Sequence, residues 1–335
     1  MKPDSSARGA GNLFTLVEDN RLQEVSHLNI PWSNYFRLGI VHFMAYPEVA
    51  KDESRVLPTL EALAADTDFE VVEVRGVSSP ELRREIKALC RTAHLDLAYG
   101  AQPAVLGQKL NPNSLDAAER QRAMQVLKAA VDEAVEMGAQ GFALLSGKDP
   151  GDADRDAAVK ALTGFLIELS QYAQQVGNLP VYLEVFDRDI DKKSLVGPHS
   201  LAAAIAEEVR AEAPNFALMV DLSHLPLLKE SPEEALTAVK GYIGHAHCGN
   251  CVMRDPGNVA YGDLHPGFGF EGGENDVDEL ADYLYWLFKV GYLREGAEER
   301  PVLSFEVQPV APETSAAVIA GAKRTLAKAW AKLSL

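Results

Sequence analysis

The chain has 335 residues, 47% hydrophobic and 24% charged, enough for a large core and for one (β/α)-barrel of about 250 residues with extensions. Its 49 acidic against 32 basic residues leave a formal charge of −17, which repels phosphate backbones and anionic lipid and argues against a nucleic-acid or membrane binder. Cys90, Cys248 and Cys251 are too few for a disulfide framework, and there is neither an apolar leader nor a run of about 18 apolar residues, so a cytoplasmic protein without a membrane span is expected. Residues 1–34 are polar and weakly periodic and read as an N-terminal extension, with a short helical pattern at 13–25. From 35 to 335 the sequence reads as one domain, with apolar runs of strand character at 36–45, 69–74, 95–100, 141–146, 180–186, 216–221, 242–248 and 301–307. Helical patterns alternate with them at 54–65, 79–92, 116–137, 154–176, 199–211, 231–240, 276–290 and 313–332. Ser79-Pro80 and Ser231-Pro232 each place a cap before a first-turn proline, and Asp116 with Glu119 has capping-box spacing. Gly138 and Gly177 stand where left-handed C-caps belong. Eight strand–helix alternations without hairpin signals predict a parallel sheet closed on itself, a (β/α)8 TIM barrel.

Such barrels carry their chemistry at the C-terminal ends of the strands. The fifth strand ends near Glu184, the sixth near Asp221, the seventh contains His245 and His247, and the eighth contains Glu306. Unpaired carboxylates among apolar neighbours are expensive to bury. One divalent cation held by Glu184, Asp221, His247 and Glu306 would offset that cost. Three carboxylates and one imidazole suit Mn²⁺, Mg²⁺ or Co²⁺, and also admit Zn²⁺.

The series Glu184, Asp221-x-x-His224, His245-x-His247 and Glu306 resembles the xylose isomerase-like TIM-barrel superfamily, with ketose 3-epimerases as its most similar well-described branch. The resemblance runs from about residue 36 to the last helix. It implies that Glu184, Asp221, His247 and Glu306 bind one metal, and that Glu184 and Glu306 are the catalytic acid and base on opposite faces of a sugar. It also implies that His224 and Arg254 contact substrate oxygens, Arg254 lying one residue further along than its epimerase counterpart. The expected activity is that of a sugar isomerase or epimerase acting through an enediolate. A small-molecule sugar or sugar derivative is the expected partner, and homodimers and homotetramers are common in the family. One departure is Ile190, where ketohexose epimerases carry a substrate-binding Glu.

Two rival readings share the scaffold. A lyase that removes water from a keto-sugar or inosose needs the same metal and base. Asp263-x-His265, in the long segment 249–275, is similar to a motif of apurinic-site endonucleases, which use it with the Asp-x-x-His histidine to hold another zinc. Those enzymes also need histidines on the third and fourth strands, which this sequence lacks, and the charge of −17 opposes DNA binding. Asp263 and His265 are therefore expected to line the substrate pocket. Cys248-x-x-Cys251 has no further thiol or imidazole partners at metal spacing and reads as structural.

Overall fold

A computed structural model describes residues 30–334, so the helical pattern at 13–25 lies outside the described residues. All eight expected strands form. They are β1 (Arg37–Val41), β2 (Val71–Arg75), β3 (Asp96–Gly100), β4 (Phe142–Leu145), β5 (Val181–Glu184), β6 (Phe216–Asp221), β7 (Ile243–Gly249) and β8 (Val302–Glu306). They pair in chain order, all parallel, and β8 returns to β1 to close the barrel. Every residue of β4 and β8 is buried, because one strand face fills the barrel and the other packs under the helices. Helices Val56–Ala64, Pro80–Ala93, Ala117–Met137, Arg155–Gly177, His199–Glu212, Pro232–Ala238, Val277–Lys289 and Ser315–Lys332 surround it. Among the described residues no helix is long and apolar enough to cross a membrane.

Local chemistry explains where elements stop. β1 ends at Val41, four residues before the apolar run does, because His42–Ala45 turns into a helix and Tyr46 N–H bonds the His42 carbonyl. His42 itself is a core histidine. Its Nε2 lies 2.8 Å from Thr59 Oγ1, and burial pushes its pKa down to about 4. Ser79 caps its helix through the Leu82 amide, and Ser231 forms a full capping box with Glu234. At Asp116 the box is absent, since Asp116 accepts from Ala118 N–H while Glu119 turns to the Ser114 hydroxyl. Gly138 is left-handed as expected, but after the next helix Asn178 takes that conformation. Gly177 remains helical, and its use is close packing: a Cβ there would lie 2.4 Å from Val135 Cγ2.

Register aligns the functional strand ends. Leu145 pairs with Glu184, Asp221 with His247, and Gly249 with Glu306. A Cβ on Gly249 would stand 2.3 Å from the Glu306 carbonyl oxygen, so this close approach of β7 to β8 requires glycine.

Candidate metal centre

Glu184, Asp221, His247 and Glu306 converge at the C-terminal mouth, each offering one ligand atom within 4.8 Å of the others. Glu184 Oε2 accepts a 2.7 Å hydrogen bond from Gln102 Nε2, at the start of the short helix Gln102–Gly107 that follows β3. Asp221 Oδ1 accepts from Ser223 N–H at 2.7 Å. The other oxygens, Glu184 Oε1 and Asp221 Oδ2, are buried without a hydrogen-bond partner. His247 Nδ1 lies 2.7 Å from Glu306 Oε2 and 3.8 Å from Glu184 Oε1. Two orphaned buried carboxylate oxygens beside an imidazole and a further carboxylate are a poor arrangement for protons alone, and this oxygen-rich donor set fits a hard or borderline divalent cation.

A second layer adjoins the first. His224 donates Nδ1–H to the Val185 carbonyl at 2.8 Å, which leaves Nε2 facing the mouth, 3.8 Å from Asp221 Oδ2. Asp263 Oδ1 lies 3.1 Å from His224 Nε2 and 3.0 Å from His265 Nε2, and Lys192 Nζ lies 3.1 Å from Asp263 Oδ2. His265 is held with a left-handed φ of 50°, an uncommon conformation for a non-glycine residue, and its carbonyl accepts from Gln308 N–H at 2.6 Å. Asp221, His224 and His265 also bring ligand atoms within 4.8 Å of one another.

Electrostatics follow from burial and crowding. Burial, then the Glu306 charge, push Glu184 up to about 8, and burial also raises Asp221. Burial opposes ionisation of Glu306 too, but His265 and His247 outweigh it and hold Glu306 down at about 2. His265 is lifted to about 9, because Glu306 and Asp263 overcome the cost of burying its charge.

Of the expected site residues, Glu184, Asp221, His224, His247, Asp263, His265 and Glu306 stand together. Arg254 does not. Its side chain is 76% exposed and pairs with Glu274 at 2.6 Å, so the expectation of a substrate anchor there finds no geometric support. At the position of the missing epimerase Glu, the strand-five loop is built around Asp187, whose carboxylate accepts the amides of Ile190, Asp191 and Lys192. Two residues that no sequence motif marks also reach the cluster: Gln102, and Glu73 on β2, whose buried carboxylate meets His245 Nε2 at 2.8 Å and His247 Nε2 at 3.1 Å. Cys248 and Cys251 are buried free thiols whose pKa values burial raises, which fits a structural role.

The model of a family described as xylose isomerase-like TIM barrel matches residues 62–285. A comparison with curated proteins gives no significant match. Among solved structures, the IolI protein with a bound zinc atom is 18% identical, with 89% of this chain and 100% of that one covered and a TM-score of 0.66. An L-ribulose 3-epimerase is 18% identical over 88% of this chain and 94% of its own, with a TM-score of 0.65. D-psicose 3-epimerase with D-tagatose, from Clostridium cellulolyticum H10, is 18% identical over 88% and 96%, with a TM-score of 0.61. At such identities the likeness concerns the fold.

Proposed function

The chain belongs to the xylose isomerase-like TIM-barrel family, and from that premise we propose that it is a divalent-metal-dependent sugar isomerase or epimerase with Glu184 and Glu306 as its acid–base pair. The observation that carries this reading is the convergence of these two glutamates with Asp221 and His247, two of their carboxylate oxygens being orphaned. The 3-epimerases among the structural neighbours, and the zinc atom bound by the IolI protein, support it.

Glu184, Asp221, His247 and Glu306 would hold the cation, which when bound supplies Lewis-acid polarisation of a substrate carbonyl. The chain's own residues do the rest. One glutamate accepts the proton α to the carbonyl, leaving an enediolate, and the other returns a proton to the opposite face or the neighbouring carbon. His224, fixed through Nδ1, presents Nε2 to a substrate oxygen. Asp263 and His265 complete that wall of the pocket, and Lys192 keeps Asp263 in place. Gln102 restrains Glu184 to one orientation, which preserves the alignment that proton transfer needs. Residues 35–335 would form this one catalytic domain. Because the loop carries Ile190 where ketohexose epimerases carry Glu, sugar derivatives belong in the substrate panel beside free ketohexoses.

The test is to incubate the Mn²⁺- or Co²⁺-loaded protein with ketoses and inososes in D2O. Deuterium entering the carbon α to the carbonyl, with an epimer or isomer accumulating, supports the proposal. An unsaturated or diketone product would assign the lyase branch instead. No exchange with any member of the panel would count against both. A second reading, a multi-metal phosphodiesterase, draws on the approach of His224 and His265 to Asp263. Cleavage of abasic DNA with more than one zinc per chain would establish it.

A further inference from the structure

Glu73 belongs to none of the roles above. It lies on β2, whose hydrogen-bonded neighbours are β1 and β3, yet its carboxylate reaches across the barrel to two histidines of β7. Its oxygens stand 2.8 Å from His245 Nε2 and 3.1 Å each from His247 Nε2. The residue is 2% exposed, so bulk solvent does little to compensate its charge, and the two imidazoles beside it do so. A carboxylate only accepts, so without a metal both ring nitrogens of His247 donate, Nε2 to Glu73 and Nδ1 to Glu306, and a cation entering the cluster would displace the Nδ1 proton while Glu73 keeps the one on Nε2. That leaves Nδ1, the atom 2.7 Å from Glu306 Oε2 and 3.8 Å from Glu184 Oε1, as the one that faces the four-residue cluster. Burying a carboxylate and two imidazoles is a costly way to pack a barrel, and apolar side chains of similar volume would do so at least as well.

We infer that Glu73 is a positioning residue, which fixes His247 as the Nε2–H tautomer and aims Nδ1 at a divalent cation, while His245 holds Oε1 of the Glu73 carboxylate. The inference rests on the metal-dependent reading above and adds the element that orients its only imidazole ligand. Carboxylates placed behind metal-bound histidines typically set affinity by 10- to 100-fold.

The experiment compares wild type, Glu73→Gln, Glu73→Asp and His245→Gln by Zn²⁺ and Mn²⁺ titration calorimetry, and by NMR of the zinc-loaded, 15N-histidine-labelled protein. Expected are about 10- to 100-fold weaker binding in Glu73→Gln, partial recovery in Glu73→Asp, and a smaller loss in His245→Gln. In zinc-loaded wild type, an exchange-protected downfield proton should sit on Nε2 of His247, and in Glu73→Gln it should move upfield and exchange faster. Wild-type binding in Glu73→Gln, with that proton unmoved, would overturn the inference and leave the metal reading intact. Should Glu73→Gln not fold, the wild-type spectrum decides, since a proton on Nδ1 with zinc on Nε2 would overturn it. Failure of wild type to bind either cation would remove the metal reading and this inference together.

Discussion

Replacing Glu184 by Gln should stabilise the metal-free protein at neutral pH. In the folded chain the Glu184 carboxyl titrates near 8, against an ordinary value of 4.5, because it is buried beside Glu306. Between those two values the native state binds the proton that the unfolded state has released, so stability falls as pH rises. Each pH unit inside that window costs about 1.4 kcal/mol, which amounts to ~3 kcal/mol by pH 7 and somewhat more by pH 8. The contribution is fully present below pH 4.5. Glu306 acts oppositely, being held down at about 2: its stabilisation is present above 4.5 and lost as pH falls toward 2, so the two windows do not overlap. Glutamine at 184 keeps the shape and can still offer an oxygen to Gln102 Nε2, but it carries no charge. Urea unfolding of the chelator-treated proteins from pH 4.5 to 8 is the assay. The variant should match wild type at pH 4.5 and exceed it by about 3 kcal/mol at pH 7. Adding metal at 100 times its dissociation constant should raise wild type by about 2.7 kcal/mol and the variant by much less. A difference that does not change with pH, or a variant less stable at pH 8, would contradict a raised pKa at Glu184.

Two other substitutions probe the same site. Glu306→Gln should leave the fold intact by circular dichroism and lower turnover by about 10²- to 10⁴-fold, and near-normal turnover would remove Glu306 from proton transfer. Gly249→Ala places a methyl 2.3 Å from the Glu306 backbone oxygen, which cannot swing away as a side chain could. It should cost about 1–3 kcal/mol in urea unfolding and weaken metal binding by displacing Glu306, whereas an unchanged midpoint would mean that β7 and β8 separate freely.

The barrel was legible because each strand is a short apolar run buried on both faces and each intervening helix shows its own periodicity, so eight alternations were countable. The convergence of Glu184, Asp221, His247 and Glu306 was legible because parallel strands carry equivalent positions to one rim. Glu73 was not, since within Val71-Val72-Glu73-Val74 it looks like the outward residue of an alternating strand. Only closure of the barrel brings it to His245, 172 residues away in the chain. Gln102 was hidden for a similar reason, 82 residues from Glu184 and on a helix too short to show a period. Position after a strand fixes where the backbone goes, and not whether a long side chain such as Arg254 turns inward or pairs with Glu274, as it does here. The end of β1 was overrun because the apolar run continues through Phe43, Met44 and Ala45 while the backbone has already turned helical.

In the proposed function, four side chains on successive strands would hold one cation. Element-specific mass spectrometry of protein purified without chelator, beside Asp221→Ala, measures it directly. About one Mn, Mg, Co or Zn per wild-type chain is expected, with its loss from the variant. Wild-type protein that holds no metal even after the ions are added back would contradict that proposal.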